Sequence, residues 1–295
     1  MTGESTGPLI TRFAPSPTGL LHLGHGYSAL RAHDLACEAG GRFLLRFEDI
    51  DTGRVRAEYY DAIADDLRWL GLDWDGEPMR QSDRFDAYRD ALEMLKAREL
   101  VYPCFCTRKE IAAEIAASAS APHGPDGPLY PGTCRVLSDA EREERLVSEP
   151  HAWRIDMAKA VSVVGELHWS DAGDGEQVAT AEIHGDVVLA RKDVPTSYHL
   201  AVVVDDAEQG VTDVVRGMDL FAATHVHRLL QQLLNLPVPR YHHHRLITDG
   251  AGKRLAKRDN ARSLAALRDA GVSASAICTA FRSDHPDISG FEPID

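Results

Sequence analysis

Apolar positions near the start of the chain change from a strand period to a helical period and back. Two short apolar runs have strand length, "LITRFA" at 9–14 and "RFLLRFED" at 42–49. Between them, residues 26–40 carry apolar side chains at helical spacing, and Gly40 with Gly41 is typical of a helix C-cap. Strand, helix and strand in this order predict a βαβ unit, which implies a parallel sheet.

The pattern changes after two further amphipathic helices, predicted at 59–71 and 84–100. An Ala-rich helical stretch follows "CFCTRKE", and a loop dense in Pro, Gly and Ser occupies 118–134. From about His184 a β pattern resumes. Three runs favour strands: "DVVLAR" at 186–191, "LAVVVDD" at 200–206 and "DVVRG" at 213–217. A helical segment at 220–235 and an apolar run at 243–248 follow them.

These elements predict an α/β fold in which one parallel-sheet domain is interrupted by an inserted region. The first half of the domain is expected at 1–102, the insert at 103–182 and the second half at 183–247. Residues 248–295 are expected to form a loop and a short helical C-terminal part.

Composition narrows the class of protein. The 295 residues are 44% hydrophobic and 26% charged, as in globular proteins, and no apolar run is long enough to span a membrane. The N-terminus lacks the pattern of a secretory signal, and five cysteines argue against a disulfide scaffold. We therefore expect a cytoplasmic protein, without a membrane partner, whose cysteines are free thiols or metal ligands.

Charge gives a second limit. The net charge of −14 argues against a nonspecific coat on nucleic acid, but it does not exclude a local basic face. The segment "GKRLAKRDNAR" places five Lys or Arg residues between Lys253 and Arg262. A run of this kind is usually a solvated surface.

Two histidines flank a glycine in "HLGH", where the first predicted strand gives way to the first helix. Free N–H groups and the dipole at a helix N-terminus attract phosphate. Gly24 and Gly26 are expected to let a nucleotide approach the backbone, and His22 and His25 to donate hydrogen bonds to phosphate oxygens. Taken alone, the two histidines are equally consistent with surface or capping residues, and a zinc pair is a third alternative.

The surroundings of these histidines resemble a known family. "RFAPSPTGLLHLGH" resembles the HIGH motif of class I aminoacyl-tRNA synthetases, in the form found in glutamyl-tRNA synthetases. "RLAKR" at 254–258 resembles their KMSKS loop, and "RFEDID", "YHLAVVVDD" and "VVRGMDL" match further motifs in order. The resemblance covers residues 9–270, and it implies a Rossmann-like (HUP-type) nucleotide-binding domain with an inserted zinc-containing subdomain.

The resemblance also implies a set of ligand residues. Glutamate would contact eight positions: Arg12, Phe13, Ala14, Pro15, Ser16, Glu48, Tyr198 and Arg216. Either arginine can pair with a carboxylate, and Glu48 can hold an ammonium group. ATP, with Mg²⁺ as counter-ion, would contact His22, Gly24, His25 and Lys257. In the KMSKS-like loop, Arg254 replaces the usual Lys and Ala256 the usual Ser.

The length distinguishes between branches of the family. Only 33 residues follow Arg262, which is too few for the anticodon-binding domains of a full glutamyl-tRNA synthetase. The sequence therefore resembles the branch that transfers glutamate to the queuosine base in the anticodon of tRNA(Asp), and we expect a monomer. Two alternatives remain, a short glutamyl-tRNA synthetase that charges an acceptor end and a nucleotide-binding protein without catalysis.

Cysteines in the predicted insert suggest a metal site. Cys104 and Cys106 form a C-x-C pair, with Tyr130 and Cys134 downstream in "YPGTC", and the same zinc-ligand set occurs in the resembled family. His123 is a rival fourth ligand, because structural zinc usually takes Cys and His. Three unrelated free thiols are the alternative. The run "HHH" at 242–244 is not expected to bind a metal, because adjacent residues in a strand face opposite ways.

Overall fold

A computed structural model of the protein describes residues 7–117, 123–125, 127–247, 263–283 and 291, without the side chains of Ala117 and His123. The first half of the chain contains these elements: β1 (Ile10–Phe13), α1 (Leu23–Glu38), β2 (Arg42–Phe47), α2 (Ala57–Trp69), β3 (Met79–Arg80), α3 (Phe85–Ala97), β4 (Val101–Cys104), α4 (Arg108–Ala117), β5 (His123–Gly124), β6 (Gly127–Pro128) and α5 (Asp139–Ser148). The second half contains β7 (Ala152–Ile155), α6 (Met157–Ser162), β8 (His168–Asp171), β9 (Gly175–Val178), β10 (Val188–Ala190), α7 (Tyr198–Glu208), β11 (Asp213–Gly217), α8 (Ala223–Leu233), β12 (Arg240–His244), α9 (Leu264–Asp269) and α10 (Ala274–Arg282).

The predicted βαβ unit is present. β1 and β2 pair in parallel, with Arg12 beside Leu44, and helix α1 connects them. Both strands are almost entirely buried, as expected of parallel strands covered on both faces. Helix α1 ends before Gly40, whose φ of +60° is the left-handed conformation that favours glycine at a C-cap.

A second sheet, in the order β11-β12-β8-β9, adjoins the β1-β2-β3 sheet at β1. The Thr212 N–H donates a hydrogen bond to the Ile10 carbonyl at 3.0 Å, so β11 lies beside β1. β11 pairs in parallel with β12, and this register places Arg216 directly beside His243. β3 lies on the far side of β2. The carboxyl ends of β1, β2, β11 and β12 therefore meet at one edge, where open α/β sheets bind ligands.

One predicted strand is a helix. The segment "LAVVVDD" at 200–206 lies within α7, where Leu200, Ala201, Val202 and Val203 are all buried. A short β-branched run that is buried on several sides has the same apolar pattern in a strand and in a helix. Packing against helices α3 and α8 stabilises the helical conformation of this segment. In addition, the Asp205 carboxylate of α7 accepts hydrogen bonds from Gln81, Arg84 and Tyr88 in and just before α3.

Strand pairing links the predicted insert to the second half of the sheet domain. An antiparallel sheet joins β4, β7 and β10, and β8 of the insert pairs in parallel with β12. Strands on both sides of the predicted boundary at residues 182 and 183 are thus paired with each other. The domain limits at 102, 182 and 247 stay a prediction. Among the described residues, no helix combines the length and the apolar character needed to cross a membrane.

Candidate active site

A cavity of about 250 Å³ opens at the carboxyl edge of the parallel sheet. It is lined by eleven of the twelve residues that the resemblance assigned to glutamate and ATP: Arg12, Phe13, Ala14, Pro15, Ser16, His22, Gly24, His25, Glu48, Tyr198 and Arg216. The twelfth, Lys257, lies outside the described residues. These residues come from the ends of three strands, from the turn after β1 and from the N-terminal ends of α1 and α7.

Backbone hydrogen bonds hold the turn after β1 in place. The Glu48 N–H donates to the Pro15 carbonyl at 2.9 Å, and the Arg56 N–H donates to the Pro17 carbonyl at 3.3 Å. The two prolines fix the backbone of a segment that would otherwise have several conformations. The turn and the end of β2 therefore form one continuous wall of the cavity.

His22 and His25 together cap helix α1. His22 Nδ1 accepts a hydrogen bond from the Gly24 N–H at 3.1 Å, and His25 Nδ1 accepts one from the His22 N–H at 3.2 Å. This is a capping box built from two histidines, whose rings stack with centroids 3.7 Å apart. Because each Nδ1 accepts, each neutral ring carries its proton on Nε2. Both histidines therefore cap the helix, and both also line the cavity.

The two glycines of this turn have different surroundings. A Cβ at Gly24 would lie 3.0 Å from the His22 ring, so the absence of a side chain lets the capping ring fold over the helix end. Gly26, in contrast, is buried, and a Cβ added there would lie 3.3 to 3.4 Å from the side chains of Leu264, Leu70 and Phe281. The expectation that Gly26 opens the backbone to a nucleotide is wrong, because helix α1 turns this residue toward α9 and α10.

Arg12 already has a carboxylate partner. Its Nε donates to Asp206 Oδ1 at 2.9 Å, and Arg46 Nη1 lies 2.8 Å from the same oxygen. Burial alone would raise the pKa of Asp206, but the charges of Arg12 and Arg46 outweigh burial and lower it. Asp206 is therefore ionised at neutral pH and compensates part of the positive charge of both arginines.

Arg216 has a different environment. It is only 5% exposed, and it donates to four neutral groups, on Tyr198, Thr224, His227 and His243. Within the described part of the chain, no carboxylate forms an ion pair with this guanidinium. A buried cation without a counter-ion is costly, which makes the position suited to an anionic ligand.

Glu48 faces the cavity near two of the arginines. Its Oε1 lies 3.8 Å from Arg46 Nη2. Burial raises the pKa of Glu48 to about 7, although Arg46 and Arg12 act in the opposite direction. The carboxyl group is thus poised to ionise fully when a cation, such as an ammonium group, approaches it.

The structure adds cavity residues that the sequence reasoning missed. Tyr27, Asp219 and His244 line the cavity, and the Tyr27 and His244 rings contact edge to face at 4.9 Å. Asp219 belongs to the "RGMDL" motif, and His244 ends β12. The motif could have suggested Asp219, whereas the place of His244 depends on where β12 ends.

The described residues on either side of the segment that carries Lys257 lie at or near the cavity. Ile247, before this segment, lines the cavity. After it, Ser263 pairs with His22, and the Leu264 N–H donates to the Leu21 carbonyl at 2.8 Å. The basic segment 253–262 itself lies outside the described residues.

The three cysteines of the predicted insert lie together. The Sγ atoms of Cys104, Cys106 and Cys134 are all within 4.8 Å of one another, and the Tyr130 hydroxyl lies 3.5 Å from two of them. Burial would raise the pKa of the Cys134 thiol, but hydrogen bonds from Tyr130 and the Phe105 N–H outweigh burial and lower it. His123 belongs to β5, and its side chain lies outside the described residues.

The three consecutive histidines of β12 point to separate partners, as predicted. His242 pairs with Asp213, His243 with Asp171 and Arg216, and His244 Nδ1 lies 2.9 Å from the Arg245 carbonyl. They do not converge on one point, so these rings do not form a shared metal site.

Comparison with known proteins agrees with this geometry. Residues 8–283 match the family described as tRNA synthetases class I (E and Q), catalytic domain. The chain is 55% identical over 270 residues to the glutamyl-Q tRNA(Asp) synthetase of Rhodobacter capsulatus, covering 90% of this chain and 96% of that protein. It is 48% identical over 262 residues to the enzyme of the same name from Deinococcus radiodurans, covering 88% and 83%.

The fold matches a solved structure as well. The glutamate-tRNA synthetase of Elizabethkingia anophelis superimposes with a TM-score of 0.79 at 28% identity, over 93% of this chain. The present chain spans 61% of the length of that solved chain. The motifs, the cavity that unites them and these similarities together assign the chain to the class I (E and Q) tRNA synthetase family, as a member of the glutamyl-Q tRNA(Asp) synthetases.

Proposed function

We propose that the protein activates L-glutamate with ATP and transfers the glutamyl group to the queuosine base in the anticodon of tRNA(Asp). In the first step the α-carboxylate attacks the α-phosphorus of ATP, which forms glutamyl-adenylate and releases pyrophosphate. In the second step the glutamyl group passes to the modified base, and AMP leaves. The protein is then a ligase that modifies a tRNA.

One observation carries this proposal. The uncompensated cation Arg216, the carboxyl of Glu48 and the histidine-capped N-terminus of α1 line the same cavity. A carboxylate, an ammonium group and a phosphate are the groups that these three features favour. An amino acid whose side chain ends in a carboxylate, together with a nucleotide, presents all three.

The roles of the residues follow from their chemistry. Arg216 and Tyr198 would hold the side-chain carboxylate of glutamate, and Glu48 its ammonium group. His22 and His25 would donate from Nε2 to phosphate oxygens, with Mg²⁺ as the counter-ion of ATP. No protein nucleophile is required, so catalysis rests on positioning and on stabilisation of charge. Lys257 would neutralise the leaving phosphates.

The cysteine cluster is proposed as a structural zinc site, formed by Cys104, Cys106, Tyr130 and Cys134. A tetrahedral ion with Zn–S bonds of about 2.3 Å separates two sulfur ligands by about 3.8 Å. The Cys106 and Cys134 sulfurs are 3.4 Å apart, and the Tyr130 hydroxyl, 3.5 Å from the Cys104 and Cys106 sulfurs, would take the fourth corner. Bound zinc would cross-link β4 to the "YPGTC" loop, within the proposed subdomain at 103–182. His123 remains the rival fourth ligand.

Two assays test the function. ATP–pyrophosphate exchange with glutamate, glutamine and aspartate measures activation, and we expect activity with glutamate alone. Transfer of labelled glutamate is then measured to tRNA(Asp) with queuosine, to tRNA(Asp) without it and to tRNA(Glu). Transfer to the first alone supports the proposal. Charging of tRNA(Glu) would instead assign an acceptor-end synthetase, and no exchange with any amino acid would assign a protein without catalysis.

A further inference from the structure

The guanidinium of Arg216 is surrounded by neutral acceptors. Its Nε donates to His243 Nε2 at 3.1 Å, and its Nη1 lies 3.3 Å from the Tyr198 hydroxyl and 3.2 Å from His227 Nδ1. Its Nη2 donates to the Thr224 hydroxyl. The nearby Arg12 is a natural contrast, because it meets the ionised carboxylate of Asp206. The charge of Arg216 is therefore left for a ligand.

His243 contacts Arg216 in only one tautomer. A guanidinium can only donate, so His243 Nε2 must accept and the ring proton must lie on Nδ1. That nitrogen lies 2.7 Å from Asp171 Oδ2, and both side chains are fully buried. The other oxygen of Asp171 accepts from the Gly173 and Asp174 N–H groups at 2.8 and 3.0 Å. Asp171 therefore sets both the tautomer and the orientation of the ring.

The histidines stay uncharged at neutral pH. Burial lowers the pKa of His243 to about 4, and the Arg216 charge adds to this effect, whereas Asp171 opposes it. Burial, and then Arg216 and His199, hold the pKa of His227 well below its usual value. Two neutral rings thus orient the guanidinium without compensating its charge.

We infer that His243, fixed by Asp171, is a positioning residue that presents an uncompensated Arg216 to the cavity and so determines selectivity for a side-chain carboxylate over the corresponding amide. The inference rests on the proposed function, since it deepens the role of Arg216 in glutamate binding. A carboxylate in the place of His243 would orient the guanidinium equally well, but it would remove the charge that distinguishes glutamate from glutamine.

The test is a pair of substitutions that differ in charge alone. In His243→Gln the amide oxygen can reach the position of Nε2 as a neutral acceptor, and in His243→Glu the same position carries a carboxylate. ATP–pyrophosphate exchange gives KM and kcat for L-glutamate and for L-glutamine. We expect His243→Gln to keep the preference for glutamate within about threefold. We expect His243→Glu to raise KM for glutamate about 10- to 100-fold, with a smaller change in kcat and a loss of discrimination against glutamine.

The controls separate positioning from folding. His242→Gln changes the neighbouring histidine, which pairs with Asp213 instead, and should behave as the unmodified protein. Thermal unfolding shows whether each variant is folded. If His243→Glu does not fold, Asp171→Asn decides, since an amide can donate to Nδ1 and so favour the tautomer that cannot accept from Arg216. We expect that variant also to raise KM for glutamate.

The outcomes overturn different statements. If the unmodified protein activates glutamine as readily as glutamate, or activates neither, the proposed function is wrong. If the unmodified protein is selective while folded His243→Glu and His243→Gln variants discriminate equally well, His243 only fills the core between Trp169, Phe221 and Tyr241, and the inference is wrong. Equal discrimination in a folded Asp171→Asn variant contradicts it in the same way.

Discussion

His22 and His25 stack ring on ring at the edge of the cavity, and each accepts a backbone hydrogen bond that caps the same helix. The capping role and the proposed phosphate role use different nitrogens of the ring. Nδ1 is engaged by the backbone, so Nε2 carries the proton that a phosphate oxygen would accept. The helix end therefore sets the tautomer that the proposed chemistry requires.

Two substitutions of His22 separate these roles. His22→Asn supplies another good N-cap but no imidazole N–H, so it should unfold at nearly the original temperature. Its glutamate-dependent exchange should fall about 100- to 1000-fold, because one fixed donor to the transition state is lost. His22→Ala should lose the same activity and about 1 kcal/mol of stability as well. If the His22→Asn variant kept nearly full ATP–pyrophosphate exchange activity, His22 would have only the helix-capping role.

The raised pKa of the Glu48 carboxyl group leads us to expect that glutamate binding depends on pH. With a pKa raised by burial to about 7, the carboxyl is protonated below that pH in the empty cavity, and only the ionised form attracts an ammonium group. KM for glutamate should therefore fall as pH rises from 6 to 8, by up to about tenfold. Exchange kinetics across this range measure the effect.

The matched variants for this experiment are Glu48→Gln and Glu58→Gln. Glu48→Gln should raise KM and remove most of the dependence between pH 6 and 8. Glu58 is an exposed residue of α2, and its substitution should leave the profile unchanged. A Glu48→Gln profile that keeps the full slope would assign the titration to another group.

Zinc content tests the cysteine cluster. Protein prepared without added zinc should contain one zinc ion per chain. The Cys104→Ser/Cys106→Ser double variant should contain none, because hydroxyl groups replace two of the four proposed ligands and bind zinc much more weakly than thiolates. Cys37→Ser is the control, since this exposed thiol lies on α1 and should not affect the metal. Unchanged zinc in the double variant would reject the site. Loss of zinc in the His123→Ala variant would show that His123, and not Tyr130, is the fourth zinc ligand.

Lys257 predicts an effect on rate rather than on binding. A cation that meets the leaving phosphates mainly in the transition state contributes to kcat. We expect Lys257→Ala to lower the exchange rate about 100- to 1000-fold, with KM for glutamate little changed. Lys159→Ala, at a half-buried position where the ammonium group pairs with Glu99, is the matched control. If Arg254→Ala abolished exchange while Lys257→Ala did not, Arg254 would be the phosphate ligand.

Local pattern was sufficient for much of the fold. The spacing of apolar residues and the positions of glycines predicted β1, α1, β2 and the Gly40 cap. This was possible because a strand covered on both faces and a capped helix each have a recognisable local sequence pattern. The resemblance carried by the ordered motifs also named eleven of the residues that line the cavity, but not Tyr27, Asp219 or His244. The helix α7 escaped this reasoning, since burial on several sides erases the periodicity that separates a helix from a strand.

Partnership between distant residues needed the tertiary structure. The sequence offered Arg12 and Arg216 as equal carboxylate ligands, and only their neighbours distinguish them: Asp206 compensates the first, and neutral histidines surround the second. Similarly, the alternation of a strand predicted that the three histidines of β12 diverge, but the sequence does not contain the register. The parallel pairing of β11 with β12 sets His243 beside Arg216. Charge compensation depends on distances across the sheet, which no local pattern encodes.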